Sequence, residues 1–419
     1  MSTDDRPIVM VDHNSVEFLT NQHVEWAELR RCPVAFDPNY GGYWIVSGHE
    51  EVAQVSRDGE TFSSRYEPNA ADGVDYLGIV GVPRREGIPP QGIAEVDGPV
   101  HSAIRRILNP FLLPPAVEAD RTFVERVATW FLDQRIETGR IDLVLDYTNP
   151  VPAVMTMKLM GLPCDNWAHY GEFFHAAVAY GPGSPELEHA NARVPDMMAE
   201  LLGAADGRRH DPAHDVLTEL VNLRVEDGRA LTDDEIVSVL WNLVAGGLDT
   251  TSSLTALALH HLGTHPALRQ QLIDGPGRLG AAVEEYLRYF SVSETLSRTV
   301  SRDCQLGGQQ LRKGDRMLIS WISANHDEKV FDHPEEVRFD RAPNPHLAFG
   351  VGPHRCIGMH VARSMSEILI RQVLARIPDY EIDEDSASFY APNPSLVGVV
   401  ALPATFTAGP TRGPATRPF

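Results

Sequence analysis

Closely spaced cysteines are missing from this chain. The four it has, Cys32, Cys164, Cys304 and Cys356, are widely spaced, and no Cys-x-x-Cys occurs. No disulfide framework is suggested, and a reducing cytoplasm fits that usage. The N-terminus, Met1 to Val11, is charged and lacks an apolar run long enough for a signal peptide or membrane anchor, so the expectation is a soluble cytoplasmic protein. Basic residues are also scarce: 36 Lys and Arg face 58 Asp and Glu, a formal net charge of −22. That balance argues against nucleic acid as a partner. The acidity is global and leaves room for a local basic patch. A length of 419 residues allows two or three average domains, and equally one large α-rich unit with space for a cofactor.

What is present centres on Phe349-Gly350-Val351-Gly352-Pro353-His354-Arg355-Cys356-Ile357-Gly358. From Ile357 the apolar residues Ile357, Val361, Met365, Ile368, Leu369 and Ala375 recur at three- and four-residue steps, predicting a helix to about Ile377, where Pro378 stops it. Cys356 therefore falls at a helix N-terminus, where the dipole favours a thiolate. The glycines around it let backbone N–H groups and a flat ligand approach the sulfur. Phe349 is placed to shield it. Two other readings stand beside this one: a buried inert cysteine, and a zinc site from His354, Cys356 and His360, which lacks a fourth ligand.

A second stretch contradicts its own surroundings. Thr232 and Glu235 form a Thr-x-x-Glu capping box with Asp233 and Asp234 in the first turn, and apolar periodicity then runs to Pro266. At about 1.5 Å per residue this predicts roughly 50 Å of helix. In its middle lies Ala245-Gly246-Gly247-Leu248-Asp249-Thr250-Thr251. Two glycines cost about 1 kcal/mol each in a helix interior, and a buried Asp and β-branched threonines add to that. Local rule-breaking of this kind marks functional sites. We expect a widened turn with a carboxylate and a hydroxyl poised for proton transfer; the alternative is a pair of glycines admitting a crossing helix.

Other positions fall around these two. His101 and Arg105 share one side of a helix predicted over His101–Leu113. Glu285 and Arg288 share a face of a helix over Ala281–Phe290, with Arg341 a candidate third member of a buried charge group. Arg298 enters a β-rich segment that continues through Trp321. A Gly- and Pro-rich region from about Tyr66 to Pro99 predicts a functional loop. Gly181-Pro182-Gly183 predicts a hinge between two helices, with Phe173, Phe174 and Tyr180 as pocket walls or ordinary core. Residues 409–419 have the composition of a disordered tail.

The cysteine loop resembles that of the cytochrome P450 family: Phe349, Gly352, His354, Cys356 and Gly358 match every specified position of its pattern. Gly246, Gly247, Asp249, Thr250 and Thr251 match the family's long-helix motif, and Glu285 and Arg288 its Glu-x-x-Arg pair, all in family order. The resemblance covers about residues 20–405. It implies a mainly α fold with a minor β portion, a single haem domain over residues 1–408, and a long central helix crossing a buried haem b (iron protoporphyrin IX). Cys356 would be the axial iron ligand, in a loop with Phe349, Gly352 and Gly358. His101, Arg105, Arg298 and His354 would meet the haem propionates, and Gly246 and Gly247 would leave room for the cofactor. Thr250 would face dioxygen, with Asp249 linking it to solvent protons.

The implied activity is a haem-thiolate monooxygenase acting on a hydrophobic small molecule such as a terpenoid, steroid, fatty acid or secondary-metabolite intermediate. The pocket would be lined from residues 70–97, 170–185, 239–250, 291–296 and 394–398. Electrons would come from a separate ferredoxin and ferredoxin reductase, with Arg355, Arg363 and Arg371 as a basic docking patch. A haem-thiolate peroxygenase and a non-catalytic haem sensor or carrier are the competing readings. One departure stands out. Relatives usually carry proline soon after the Glu-x-x-Arg helix, where this chain has Phe290-Ser291-Val292-Ser293-Glu294.

Overall fold

The computed structural model describes residues 6–84, 87–181, 183–226 and 228–419; Pro182, at the centre of the expected hinge, lies outside them. The chain's contacts gather into two compact units. The first comprises Met1–Ser102, Leu287–Cys356 and Pro392–Val397, the second Ala103–Tyr286, Ile357–Ala391 and Gly398–Phe419.

The first unit is built on a five-stranded sheet in the order Val34–Asp37, Tyr43–Val46, Arg316–Ser320, Thr295–Val300, Phe62–Ser63. Arg316–Ser320 runs parallel to Tyr43–Val46, and the other neighbours are antiparallel. The run Tyr43-Trp44-Ile45-Val46 is buried throughout because both faces of the sheet are covered. Trp44 and Val46 join a cluster with Val52 and Val55 of the helix His49–Arg57, while Tyr43 and Ile45 point to a second cluster around Phe18 and Trp26. The two-residue period of a strand divides one apolar run between two cores. The Tyr66–Pro99 region holds a short hairpin, Tyr66–Glu67 with Tyr76–Leu77, and a 3-10 turn, Gly92–Glu95.

The second unit is helical. Its spine is the helix Asp233–Thr264, 32 residues long, started by the expected capping box of Thr232 and Glu235. Against it pack the helices Pro150–Met160, Trp167–Ala179 and Met359–Arg376, and the last of these also packs on Pro114–Ile136. Where one helix was expected after the hinge there are two, Pro185–Asn191 and Val194–His210. The C-terminal residues 409–419, expected as a disordered tail, are tied down instead. Both oxygens of Asp133 are used: one accepts from Arg376 (2.6 Å), the other from the backbone of Arg412 and Gly413. The Phe419 ring packs against Trp130 and Phe131. A buried carboxylate needs donors, and this segment supplies them. Among the described residues no helix is long and apolar enough to cross a membrane.

Candidate active site

In the first unit the cysteine loop is shaped by close backbone approach. Gly350 and Gly352 have positive φ, +62° and +78°. A Cβ on Gly352 would lie 2.3 Å from Ser56 O and 2.7 Å from Arg57 Cα, so only glycine lets the loop pass the end of the His49–Arg57 helix. The Cys356 N–H donates to Phe349 O at 2.8 Å and the Leu347 N–H to Asn325 Oδ1 at 2.6 Å, which closes the loop and anchors its entry. Phe349 is half-buried and contributes that carbonyl. Cys356 is exposed. The following helix starts at Met359 with Gly358 as its N-cap, two residues later than the periodicity predicted. The cysteine therefore lies on the loop leading into the helix, with the open space around Gly358 beside it in sequence.

Three of the four expected propionate partners gather within this unit. The rings of His101 and His354 lie 4.1 Å apart with planes 31° from parallel. His354 Nε2 is 2.7 Å from Asp97 Oδ1, and Asp97 Oδ2 accepts from Ser63 Oγ (2.5 Å) and Ser64 N (3.1 Å). Burial pushes the Asp97 carboxyl upward, but hydrogen bonds from His354 and Ser63, with the charges of His354 and Arg298, bring it below the ordinary value. Arg298, on the strand Thr295–Val300, is 4% exposed. Burial lowers its pKa to about 10 against the opposing pull of Asp97. Among the described residues its guanidinium finds one acceptor, Ser297 O at 2.7 Å. A buried guanidinium with spare donors is suited to a carboxylate ligand. Asp97 was not anticipated from sequence. Arg105 lies one turn beyond His101 on the helix Gly98–Leu112 and belongs to the second unit.

The Glu-x-x-Arg helix runs Leu279–Phe290, with Glu285 and Arg288 fully buried. Arg288 donates to the carbonyls of Asn325, Pro334 and Glu336, and Arg341 to those of Asp332, His333 and Glu336. The two arginines grip one loop and share the Glu336 oxygen, which makes them framework residues. The missing proline is also explained. Ser291 ends the helix at φ +43°, its Oγ donating to Arg288 O and accepting from Asn325 Nδ2, a left-handed helix end reached without glycine. Beyond it, Val292–Thr295 bonds Pro394–Val397 through Glu294 N to Ser395 O, Val397 N to Val292 O and Thr295 Oγ1 to Pro394 O. Two of the segments expected to line the pocket are thus joined. Glu294 is 3% exposed and accepts from Gln22 Nε2 at 2.8 Å. Burial raises its pKa to about 8, with the Gln22 bond opposing.

In the second unit the long helix is continuous through Gly246-Gly247, without the expected widened turn. Its glycines have separate roles. A Cβ on Gly247 would lie 2.6 Å from Thr156 Oγ1, so this residue admits the crossing helix Pro150–Met160. A Cβ on Gly246 would meet nothing within 4 Å. Thr250 Oγ1 donates to Gly246 O at 2.8 Å. Asp249 is 4% exposed and points elsewhere: Oδ1 is 3.0 Å from His175 Nδ1, and Oδ2 accepts from Tyr390 Oη and, at 3.4 Å, from Ser253 Oγ.

Sequence reasoning named Phe173 and Phe174 and passed over His175 beside them. The signal was a polar ring on an otherwise apolar helix, which must find a partner when buried. Phe173 and Phe174 themselves pack on Trp241 with ring centroids 5.1 and 4.8 Å away, which is core packing. The expected basic patch is depleted, since Arg363 is bound by both oxygens of Glu284 and Arg371 by Glu367.

Comparison with known proteins agrees with this arrangement. The cytochrome P450 family model matches residues 173–274 and 279–386. Cytochrome P450 130 of Mycobacterium tuberculosis is 31% identical over 354 residues, covering 83% of this chain and 84% of that protein. The 6-deoxyerythronolide B hydroxylase of Saccharopolyspora erythraea is 26% identical over 371 residues, covering 87% and 91%. The Mycobacterium marinum cytochrome P450 CYP268A2, solved in complex with pseudoionone, has a TM-score of 0.84 at 26% identity, covering 96% of this chain and 100% of that one. Because the matched regions include the long helix, the Glu-x-x-Arg helix and the cysteine loop in a single order, the chain belongs to the cytochrome P450 family, monooxygenases whose cofactor is haem b.

Proposed function

We propose that this monooxygenase inserts one atom of dioxygen into a hydrophobic small molecule of the terpenoid, steroid, fatty-acid or secondary-metabolite class. The electrons come from a separate ferredoxin and its reductase. Relatives named for 6-deoxyerythronolide B hydroxylation and for polyketide biosynthesis support the secondary-metabolite end of that range. The wide spacing of the four cysteines supports a reducing cytoplasm.

The residues present fit a haem. An exposed cysteine sits in a loop whose Gly352 passes close against the end of the His49–Arg57 helix, and a buried arginine has donors to spare. Cys356 would be the iron ligand, and His101, Arg105, Arg298 and His354 would hold the propionates. When bound through a thiolate, haem supplies the activation of dioxygen, as is established for cytochrome P450s generally. The chain's own work is then to orient substrate and move protons. Asp249 holds a carboxylate inside the helical unit, and Thr250 offers a hydroxyl one residue on, near the open side of Gly246. Residues 1–408 are the stretch we read as the haem domain.

The observation that carries this reading is the intact acid–threonine pair on the long helix, in a chain that also has the cysteine loop. It favours the monooxygenase over a peroxygenase, which takes its oxygen from peroxide and needs no such relay. The test supplies purified protein with a surrogate ferredoxin, reductase and NADH, after screening candidate substrates for a spin-state shift. Substrate-dependent NADH consumption with product is expected. Product from hydrogen peroxide alone, with none from NADH, would favour the peroxygenase.

A further inference from the structure

Asp249 is held by two side chains that no motif of the family reading includes, His175 on the helix Trp167–Ala179 and Tyr390. Counting donors and acceptors fixes the protonation of this group. His175 Nε2 lies 3.2 Å from the backbone carbonyl of Val400, which can only accept, so Nε2 carries a hydrogen. His175 Nδ1 lies 3.0 Å from Asp249 Oδ1, and one proton must stand between those two atoms. On the other oxygen, Tyr390 Oη donates to Oδ2, and Ser253 Oγ lies 3.4 Å from Oδ2 and 3.0 Å from Tyr390 Oη. With Oδ2 occupied as an acceptor of hydroxyl hydrogens, the imidazole Nδ1 is the seat available to the shared proton. The group is buried, with His175 7% and Asp249 4% exposed. The Tyr390 hydroxyl, pushed upward by burial and by the Asp249 charge, stays a donor.

We propose that His175 is the proton reservoir of the relay: it holds, as an imidazolium against Asp249, the proton that Asp249 passes toward Thr250, while Tyr390 fixes the carboxylate in place. This rests on the monooxygenase reading above. In the step, the Nδ1–H bond breaks and an Asp249 Oδ1–H bond forms. The acid then leaves His175 and gives its proton up on the Thr250 side, and the Nδ1 lone pair takes a proton back from solvent. No electrons move between these residues. His175 and Tyr390 act through Asp249 and are positioning residues. The ring contact of His175 with Tyr390, 5.8 Å between centroids, leaves the imidazole edge-on and free to keep both of its hydrogen bonds.

Two readouts test this on the carbon-monoxide-bound ferrous holoenzyme and in turnover. In nitrogen-15-labelled histidine spectra, His175 should have both ring nitrogens protonated at neutral pH, and should become neutral with the proton on Nε2 in Asp249→Asn. In turnover with surrogate redox partners, His175→Gln keeps a neutral donor toward Oδ1 but has no proton to give. It should lower kcat roughly tenfold with KM, haem content and the carbon-monoxide spectrum unchanged, and Tyr390→Phe should lower kcat less. A neutral His175 ring in the unmodified protein overturns the proposal even if His175→Gln proves too unstable to assay. So does wild-type kcat in His175→Gln while Asp249→Asn is slowed. If Asp249→Asn itself turns over like wild type, the relay reading fails and this inference with it.

Discussion

In the proposed relay, Thr250 is the residue on which proton delivery would most directly depend. Its hydroxyl is parked on Gly246 O at 2.8 Å, while Asp249 beside it is engaged by His175 and Tyr390. Removing the hydroxyl in Thr250→Ala leaves both those contacts and the helix intact. Product formed per NADH should fall by roughly tenfold or more, with hydrogen peroxide rising to match, and the haem content should stay constant. Unchanged coupling would take Thr250 out of the relay. Glu294 gives a prediction about stability. Its folded pKa, about 8, lies above the ordinary carboxyl value of 4.5. Its contribution is therefore fully present below about pH 4.5 and lost as pH rises toward 8, because the unfolded chain ionises first. Glu294→Gln keeps an acceptor for Gln22 and cannot ionise. Its Tm should match wild type near pH 4.5 and exceed it by a few degrees at pH 8; equal melting at both pH values would show that the carboxyl is not buried neutral. Cys356 was legible because its motif is local, with five fixed residues in ten. His175, Tyr390 and Asp97 were not, because their importance comes from partners 74, 141 and 257 residues away.

At the scale of elements, the Gly246-Gly247 pair separates two effects that the sequence merged. Both glycines oppose the helix, and the expected outcome was a widened turn; the helix continues because the space is used differently on its two sides. Gly247→Ala would place a methyl 2.6 Å from Thr156 Oγ1 and should destabilise the protein, although alanine is the better helix former by about 1 kcal/mol. Gly246→Ala meets nothing and should gain stability from propensity alone, with any loss appearing in substrate or haem binding. Thermal melting of the two variants checks this. A Gly247→Ala protein as stable as Gly246→Ala would mean the two helices are not held at that distance. The helix start was legible to the residue because a capping box is written in four consecutive positions. The end of the Glu-x-x-Arg helix was not, since Ser291 takes a left-handed conformation that depends on Asn325, 34 residues on.

For the whole molecule, a net charge of −22 would set the terms on which the proposed ferredoxin approaches. Of the three arginines expected to offset it, Arg363 and Arg371 are already paired, and Arg355 is exposed with no carboxylate on it among the described residues. Arg355→Glu should therefore raise the apparent KM for an acidic ferredoxin severalfold, with a salt dependence that Arg371→Glu does not share. Equal effects at both positions would point to net charge in place of a docking residue. The fold class was legible because helical periodicity and the order of the motifs extend along the chain. The anchoring of residues 409–419 was not, because composition shows no contact with Asp133.

The most direct test of the account is the absorption spectrum of the reduced, carbon-monoxide-bound protein, compared with Cys356→Ala. The account predicts the strongly red-shifted Soret band of thiolate ligation in the first and its loss, with most of the haem, in the second. An unchanged spectrum and porphyrin content in Cys356→Ala would contradict it.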